Sequence, residues 1–441
     1  AELTAWLEAL DPVVLAPLAA ASGVLRDRSL ALNPVGRMLR VEPGDRWTAT
    51  RDASQRLASL SVRRASGHGI DLSLSREGPI GRCDVELVHA LPADRAGHVR
   101  EVRVALSYER DLGHEGRFPR DVTPSRDSVL GDFYRAAMVG EAEPVRAGDA
   151  VRSTFTVDRD FVREYALASG DASIAYVGGR GAADTMPLNA AFSAAFGAIF
   201  RATFVPGVAW DPSRLLHLDN SVRCEGPVLH EGEVVDVTAR LVAWEPSRGG
   251  ARVRTEAALR VGDSARATIA STFFVQGHDG AYRFRAETLR HALPAGDAAL
   301  LDLLSEKPWI TLDGGAALDA RHACEVTLSL RTETLGGAVL ATVEGQLRDP
   351  SGRRVASVRH EQPGVDASEA EPARWFAAFA PIPDATVTLA QPSPAHVERA
   401  FAPWDLAEFA RASRDANPLH RDAHVAALAG LDRPIVHGQW T

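Results

Sequence analysis

Lysine is almost absent from this 441-residue chain: Lys307 stands alone, and arginine supplies the remaining basic charge. Lys and Arg together number 49 against 58 acidic residues, so no basic stripe exists to neutralise a phosphate backbone, and nucleic acid is not an expected partner. Cysteine is scarce as well. Cys83, Cys224 and Cys324 stand far apart with no CxxC pair, which argues against a disulfide framework or a zinc ribbon and for a reducing, cytoplasmic compartment. No apolar run reaches the roughly 20 residues that cross a bilayer. The longest early one, Val13 to Leu25, is interrupted by Pro17, Ser22 and Gly23, and Glu2 and Asp11 precede it where a secretion signal carries basic residues. No membrane association is expected. GxSxG and P-loop patterns are missing, and the glycine-rich VGGRGAAD at 177–184 follows no strand and lacks the third glycine of a dinucleotide fingerprint.

What remains is an ordinary globular composition, 45% hydrophobic and 24% charged, long enough for several domains with cores of their own. Residues 1 to about 32 carry Leu3, Leu7, Leu10, Val14 and Leu15 at helical spacing until Asn33-Pro34 breaks the pattern. Short alternating runs such as IDLSLS and VRVALSY then predict antiparallel strands up to about Tyr108, and DSVLGDFYRAAMVG at 127–140 predicts a helix ended by Gly140. From Arg152 the order is a helix in DRDFVREYALASG, a long apolar helix in PLNAAFSAAFGAIFRATF, and strands in LLHLDNSVR, EVVDVTARLVAW, GARVRTEAALRV and ARATIASTFFVQ. A helix with so little polar face must be covered nearly all round, and an antiparallel sheet wrapped about it, the hot-dog arrangement, does this. Residues 278–295 read as a linker, followed by a helix and the strands CEVTLSLRTE, AVLATVEGQLRD and RRVASVRH. The acidic VDASEAEPARW at 365–375 reads as an exposed connection.

One internal repeat organises the chain. FVREYALASGDASIAY (161–176) aligns without gaps on DLAEFARASRDANPLH (405–420), matching Glu164 with Glu408, Ala166 with Ala410, Ala168 with Ala412, Ser169 with Ser413 and Asp171 with Asp415, and setting Tyr165 opposite Phe409. The copies part where chemistry would sit: Asn417-Pro418-Leu419-His420 in the second is Ser173-Ile174-Ala175-Tyr176 in the first. Pro418 disfavours a continuous helix between Asp415 and His420 and lets the carboxylate and imidazole meet as one acid–base unit, with Asn417 able to hold the turn. Tyr176 cannot easily replace an imidazole as a base near neutral pH.

The stretch Ser413 to Asp422, then Ala426, then Pro434-Ile435-Val436-His437-Gly438-Gln439-Trp440-Thr441 resembles the MaoC-like hydratase/dehydratase family, whose signature is SGDxNPxHxDxxxA followed by PIxHGxxT. Arg414 departs from it by replacing the usual glycine. Further segments, NPVGRMLRVEPGD (33–45), RDSVLGDFYRAAMVG (126–140), MPLNAAF (186–192), RLLHLDNSVR (214–223) and LLSEKPWI (303–310), resemble in order the dehydratase region of fungal and mycobacterial type I fatty acid synthases. The resemblance implies an α+β chain of multiple hot-dog units: a helical linker at 1–37, a first hot-dog-like region at 38–145, a second, degenerate unit at 146–277, a linker helix and strands at 278–375, and the catalytic unit beginning at 376–441 and truncated there. Both chain ends look internal to a longer polypeptide, a multienzyme.

The implied reaction is loss of water from a (3R)-hydroxyacyl thioester on acyl carrier protein, giving a trans-2-enoyl thioester. His420 would take the α-proton and Asp415 would protonate the departing hydroxyl, with backbone N–H groups near Gly438 receiving the enolate oxygen. Asn417 supports the turn. No metal or redox cofactor is implied, the acyl group arriving on the carrier protein's phosphopantetheine, and the partners implied are that carrier protein, the other domains of a synthase and further copies of the chain. Two readings compete: an (R)-specific enoyl-thioester hydratase of polyketide or coenzyme A metabolism, and a non-catalytic hot-dog scaffold within a synthase, for which Arg414 speaks.

Overall fold

A computed structural model describes most of residues 46–111, 120–125, 145–171, 185–313 and 324–383, together with Tyr176, Phe409, Ala412, Ser413, His420 and 433–436. The expected helical linker at 1–37 and nearly all of the expected helix at 127–140 lie outside the described residues.

Six strands form the first sheet in chain order: β1 (Arg46–Arg51), β2 (Leu57–Arg63), β3 (Gly69–Glu77), β4 (Ile80–Leu91), β5 (Arg100–Asp111) and β6 (Arg120–Asp121). Every neighbouring pair is antiparallel, as short hairpin-linked runs dictate. Alternation puts Leu60 and Val62, Leu72, Cys83 and Val85, and Leu106 inside. Burial pushes the Cys83 thiol up to about 12, which keeps it protonated and inert.

Among the described residues the second sheet has eleven strands. It begins with β7 (Val151–Thr156) and continues through β8 (Leu215–Cys224), β9 (Val234–Ser247), β10 (Gly250–Val261), β11 (Ser264–Gln276), β12 (Tyr282–Leu293), β13 (Ile310–Leu312), β14 (Cys324–Leu335), β15 (Ala338–Arg348), β16 (Arg354–Pro363) and β17 (Ala380–Pro381). Its spatial order is β13-β16-β15-β14-β12-β9-β10-β11-β8, with β7 paired to β9 and β17 to β12. Among the described residues four helices accompany it: α1 (Arg159–Ala168), α2 (Ala190–Ala202), α3 (Ala298–Ser305) and α4 (Glu371–Phe376).

Helix α2 is the central one. Ala190, Ala191, Phe192, Ala195, Ala198, Ile199 and Phe200 are all buried, so nearly its whole circumference is covered, and it packs on β7, β9, β10 and β11. The opposing strands alternate inward Val235, Val237, Ala239 and Leu241 on β9 with Ala251, Val253, Ala257 and Leu259 on β10. Alanines on both partners let helix and sheet approach, while each fully buried Phe or Ile adds about 1.5–3 kcal/mol. This is the hot-dog packing expected from the sequence.

The sheet serves two cores. The first runs from Ala147 to Ala286 and takes in Phe409 and Ala412; the second gathers Leu293, Leu304, Trp309, Val326, Leu328, Val343, Leu347 and Phe376. Strand β12 joins them, pairing with β14 along its length and with β9 at Phe284–Trp244 and Arg285–Ala243. Residues 278–295, expected as a linker, thus hold a strand. Arginines at 283, 285 and 290 mask its apolar rhythm, yet Tyr282, Phe284 and Leu293 are buried, and strand pairing overrides the polar composition. The acidic run at 365–375 also differs from its exposed reading. Ala367, Ala370, Ala373 and Phe376 are buried in the second core, because the acids occupy one side of α4 and its approach while the small residues occupy the other.

Candidate active site

Helix α1 carries the first copy of the repeat. Asp158 caps its start, the carboxylate accepting from the Asp160 N–H at 2.8 Å. Its end is a Schellman motif: the Gly170 N–H donates to the Leu167 carbonyl at 3.1 Å and the Asp171 N–H to the Ala166 carbonyl at 2.8 Å. Gly170 is left-handed, with φ +82°. Ser-Gly-Asp is therefore a helix stop in this copy: glycine makes the turn, and the aspartate that follows closes it through its backbone while its side chain faces solvent. Tyr176, at the position aligned with His420, packs against the first core, so the copy has no imidazole there.

In the second copy Phe409, Ala412 and Ser413 are helical and buried on one helix face. Phe409 meets Tyr165 of the first copy with ring centroids 5.7 Å apart. Burial raises the Tyr165 phenol well above the ordinary tyrosine range, and it stays protonated.

His420 is 7% exposed, and its Nδ1 lies 2.8 Å from the Ile435 carbonyl oxygen. A carbonyl only accepts, so Nδ1 donates, and the neutral ring carries its lone pair on Nε2. One hydrogen bond thereby fixes both tautomer and ring direction and ties the segment ending in His420 to Pro434-Ile435-Val436. Asp415, Asn417 and Gly438 lie outside the described residues, so of the four expected site residues the structure describes His420. Sequence reasoning missed the role of Ile435. Its signal was the fixed PIVH context itself, since a backbone carbonyl leaves no mark in side-chain identity. Among the described residues no group of His, Cys, Asp and Glu is arranged to hold a metal ion, and no helix is long and apolar enough to cross a membrane.

With this geometry in view, residues 383–441 match the MaoC like domain, and residues 147–265 match the FAS1-like, dehydratase domain region. The chain is 26% identical over 222 residues to the fatty acid synthase beta subunit aflB of Emericella nidulans, covering 48% of this chain and 10% of that one. It is 21% identical to the fatty acid synthase beta subunit hexB of Dothistroma septosporum, over 95% of this chain and 23% of that one. It therefore spans a quarter or less of the length of these relatives. Among solved structures it is similar to a MaoC-like dehydratase from Phytophthora capsici, at 12% identity and TM-score 0.28 over 50% of this chain and 97% of that one. It is also similar to the truncated HadBC (3R-hydroxyacyl-ACP dehydratase) complex from Mycobacterium tuberculosis, at 18% identity and TM-score 0.25 over 30% and 98%. The hot-dog assignment stands on the packing of α2 in its sheet, and two regions of the chain match MaoC-like and FAS1-like dehydratase domains.

Proposed function

We propose that the chain is the dehydratase part of a fatty acid synthase-like multienzyme in the cytoplasm and converts a (3R)-hydroxyacyl thioester on acyl carrier protein to the trans-2-enoyl thioester. The observation that carries the reading is the His420 to Ile435 hydrogen bond, which sets an imidazole with its basic nitrogen at Nε2 between the two halves of the dehydratase signature.

In this mechanism Nε2 of His420 takes the α-proton, and the C–H electron pair moves into an enolate on the thioester oxygen. Asp415, protonated, delivers its proton to the 3-hydroxyl as the C–O bond breaks, and water leaves. Backbone N–H groups near Gly438 receive the enolate oxygen, glycine permitting close approach, and Asn417 holds the turn between acid and base. Acid–base chemistry of this kind calls for no metal or redox cofactor. The carrier protein and the remaining synthase domains are the proposed partners, together with further copies of the chain.

One observation favours the scaffold reading: the first copy ends α1 on a left-handed glycine, and the second has Arg414 at that position. Hydration of a short trans-2-enoyl thioester by the full-length protein, beside its His420→Ala variant, decides between them. Loss of a positioned acid–base group should cost about 10²–10⁴-fold in rate. Equal rates in both proteins, or none in either, would refute the dehydratase reading. Comparable rates with coenzyme A and carrier-protein thioesters would point instead to a free-standing hydratase activity.

A further inference from the structure

The repeat pairs Tyr165 with Phe409 in sequence, and the fold brings the same two rings into contact, 5.7 Å apart and tilted by 54°. A residue that meets its own counterpart is what a local two-fold produces, since near such an axis position i of one copy faces position i of the other. Both rings are at most 2% exposed. The contact continues inward as a ladder, from Tyr165 to Phe161 at 6.0 Å and from Phe161 to Phe155 on β7 at 5.1 Å. Phe409 therefore rests on a chain of rings from the unit that has Tyr176 where the second copy has His420.

Phe409, Ala412 and Ser413 share the buried face of one helix, and Asp415 follows two residues after Ser413. The helix that carries Phe409 and Ser413, two residues before the acid in sequence, is thus seated on Tyr165 of the other copy. We propose that Tyr165 is a positioning residue: it acts through Phe409 to fix the approach to Asp415, so the degenerate copy contributes to the chemistry without touching substrate. This role rests on the dehydratase reading above. The phenol oxygen has no hydrogen-bond partner among the described residues, and the aligned residue in the other copy is phenylalanine, so it is the ring and not the hydroxyl that does the seating.

The test compares full-length wild type with Tyr165→Leu, Phe409→Leu and Tyr165→Phe, by amide hydrogen exchange and by enoyl-thioester hydration. Amide exchange around 409–413 should rise at least about tenfold in either leucine variant while amides of β10 keep their protection. In the same variants kcat should fall on the order of tenfold at unchanged KM, because the acid is displaced while substrate binding is not. Tyr165→Phe should behave as wild type in both assays. Should Tyr165→Leu fail to fold, Tyr165→Met replaces it, its unbranched side chain adapting better to the vacated space. Unchanged exchange at 409–413 overturns the proposal, as does a loss of protection spread evenly over β10, which marks a merely structural ring. A change in KM alone, or a Tyr165→Phe variant as impaired as the leucine one, also overturns it. If wild type and His420→Ala are equally inactive the dehydratase reading falls and the positioning role falls with it, whereas normal wild-type activity with any of the contrary results refutes the positioning role alone.

Discussion

Replacing Gly170 by alanine should destabilise the protein by about 1 kcal/mol, and the size follows from two features of the site. The backbone is left-handed, at φ +82°, and a Cβ built on it meets no atom within 4 Å. Steric overlap therefore contributes nothing, and the penalty is that of an L residue in this region, roughly 1–2 kcal/mol. Part is offset, because alanine has fewer unfolded conformations to lose than glycine, worth about 0.4–1 kcal/mol. The remainder is what urea unfolding should read as a shifted midpoint at unchanged slope. A neutral or stabilising result would show that the Schellman closure from Asp171 to Ala166 does not hold the residue left-handed in solution. A loss above about 3 kcal/mol would show an overlap that the open surroundings do not contain.

The aligned position in the second copy is Arg414. If the two copies end their helices alike, the strain avoided at Gly170 is present there, and Arg414→Gly should stabilise the chain by up to about 1 kcal/mol, the mirror image of the first substitution. The pair is more informative than either alone. A destabilising Arg414→Gly beside a destabilising Gly170→Ala would mean that the second helix does not close on a left-handed residue, and the carboxylate of Asp415 would then leave the helix along a different path from that of Asp171.

Two further outcomes concern the second core. Phe376 is fully buried at the end of α4, and Phe376→Ala should cost about 3–5 kcal/mol in urea unfolding, whereas an exposed connection at 365–375 would give almost no change. Asp366 accepts from the Ser368 N–H at 3.0 Å, from the Ser368 hydroxyl at 2.7 Å and from the Thr332 hydroxyl at 3.1 Å, and these bonds hold its carboxyl below the usual carboxylate value. A depressed folded-state pKa contributes stability that is complete above the unfolded value of about 3.9 and is lost as pH falls through the folded one. Asp366→Ala should accordingly be less stable than wild type at pH 7, with the gap narrowing below about pH 4; a gap unchanged down to pH 3 would refute the assignment.

How much of this was legible in the sequence depended on whether one element's pattern sufficed. Helix α2 could be read directly, because a segment such as AAFSAAFGAIF has no polar face and leaves only burial on all sides. The strands β8 to β11 followed from alternation and from the glycines between them. Strand β12 was not legible, since its arginines imitate a linker, and only its register against β14 and β9 gives those residues a solvent side. The alanines of 365–376 were hidden for the converse reason, small buried residues carrying little hydropathy among acids.

At the site the same distinction holds. His420 stood out because its neighbours are specific, while Ile435 contributes a carbonyl that any residue owns. The Tyr165 and Phe409 contact lay between these cases: the repeat alignment had already set the two positions opposite each other, but an alignment states equivalence and not proximity. A two-fold near that position turns equivalence into contact, and the contact itself is a property of the packed core. It also accounts for an aromatic ring at Tyr165 in a copy that has Tyr176 where the other has His420, because packing against Phe409 constrains that position.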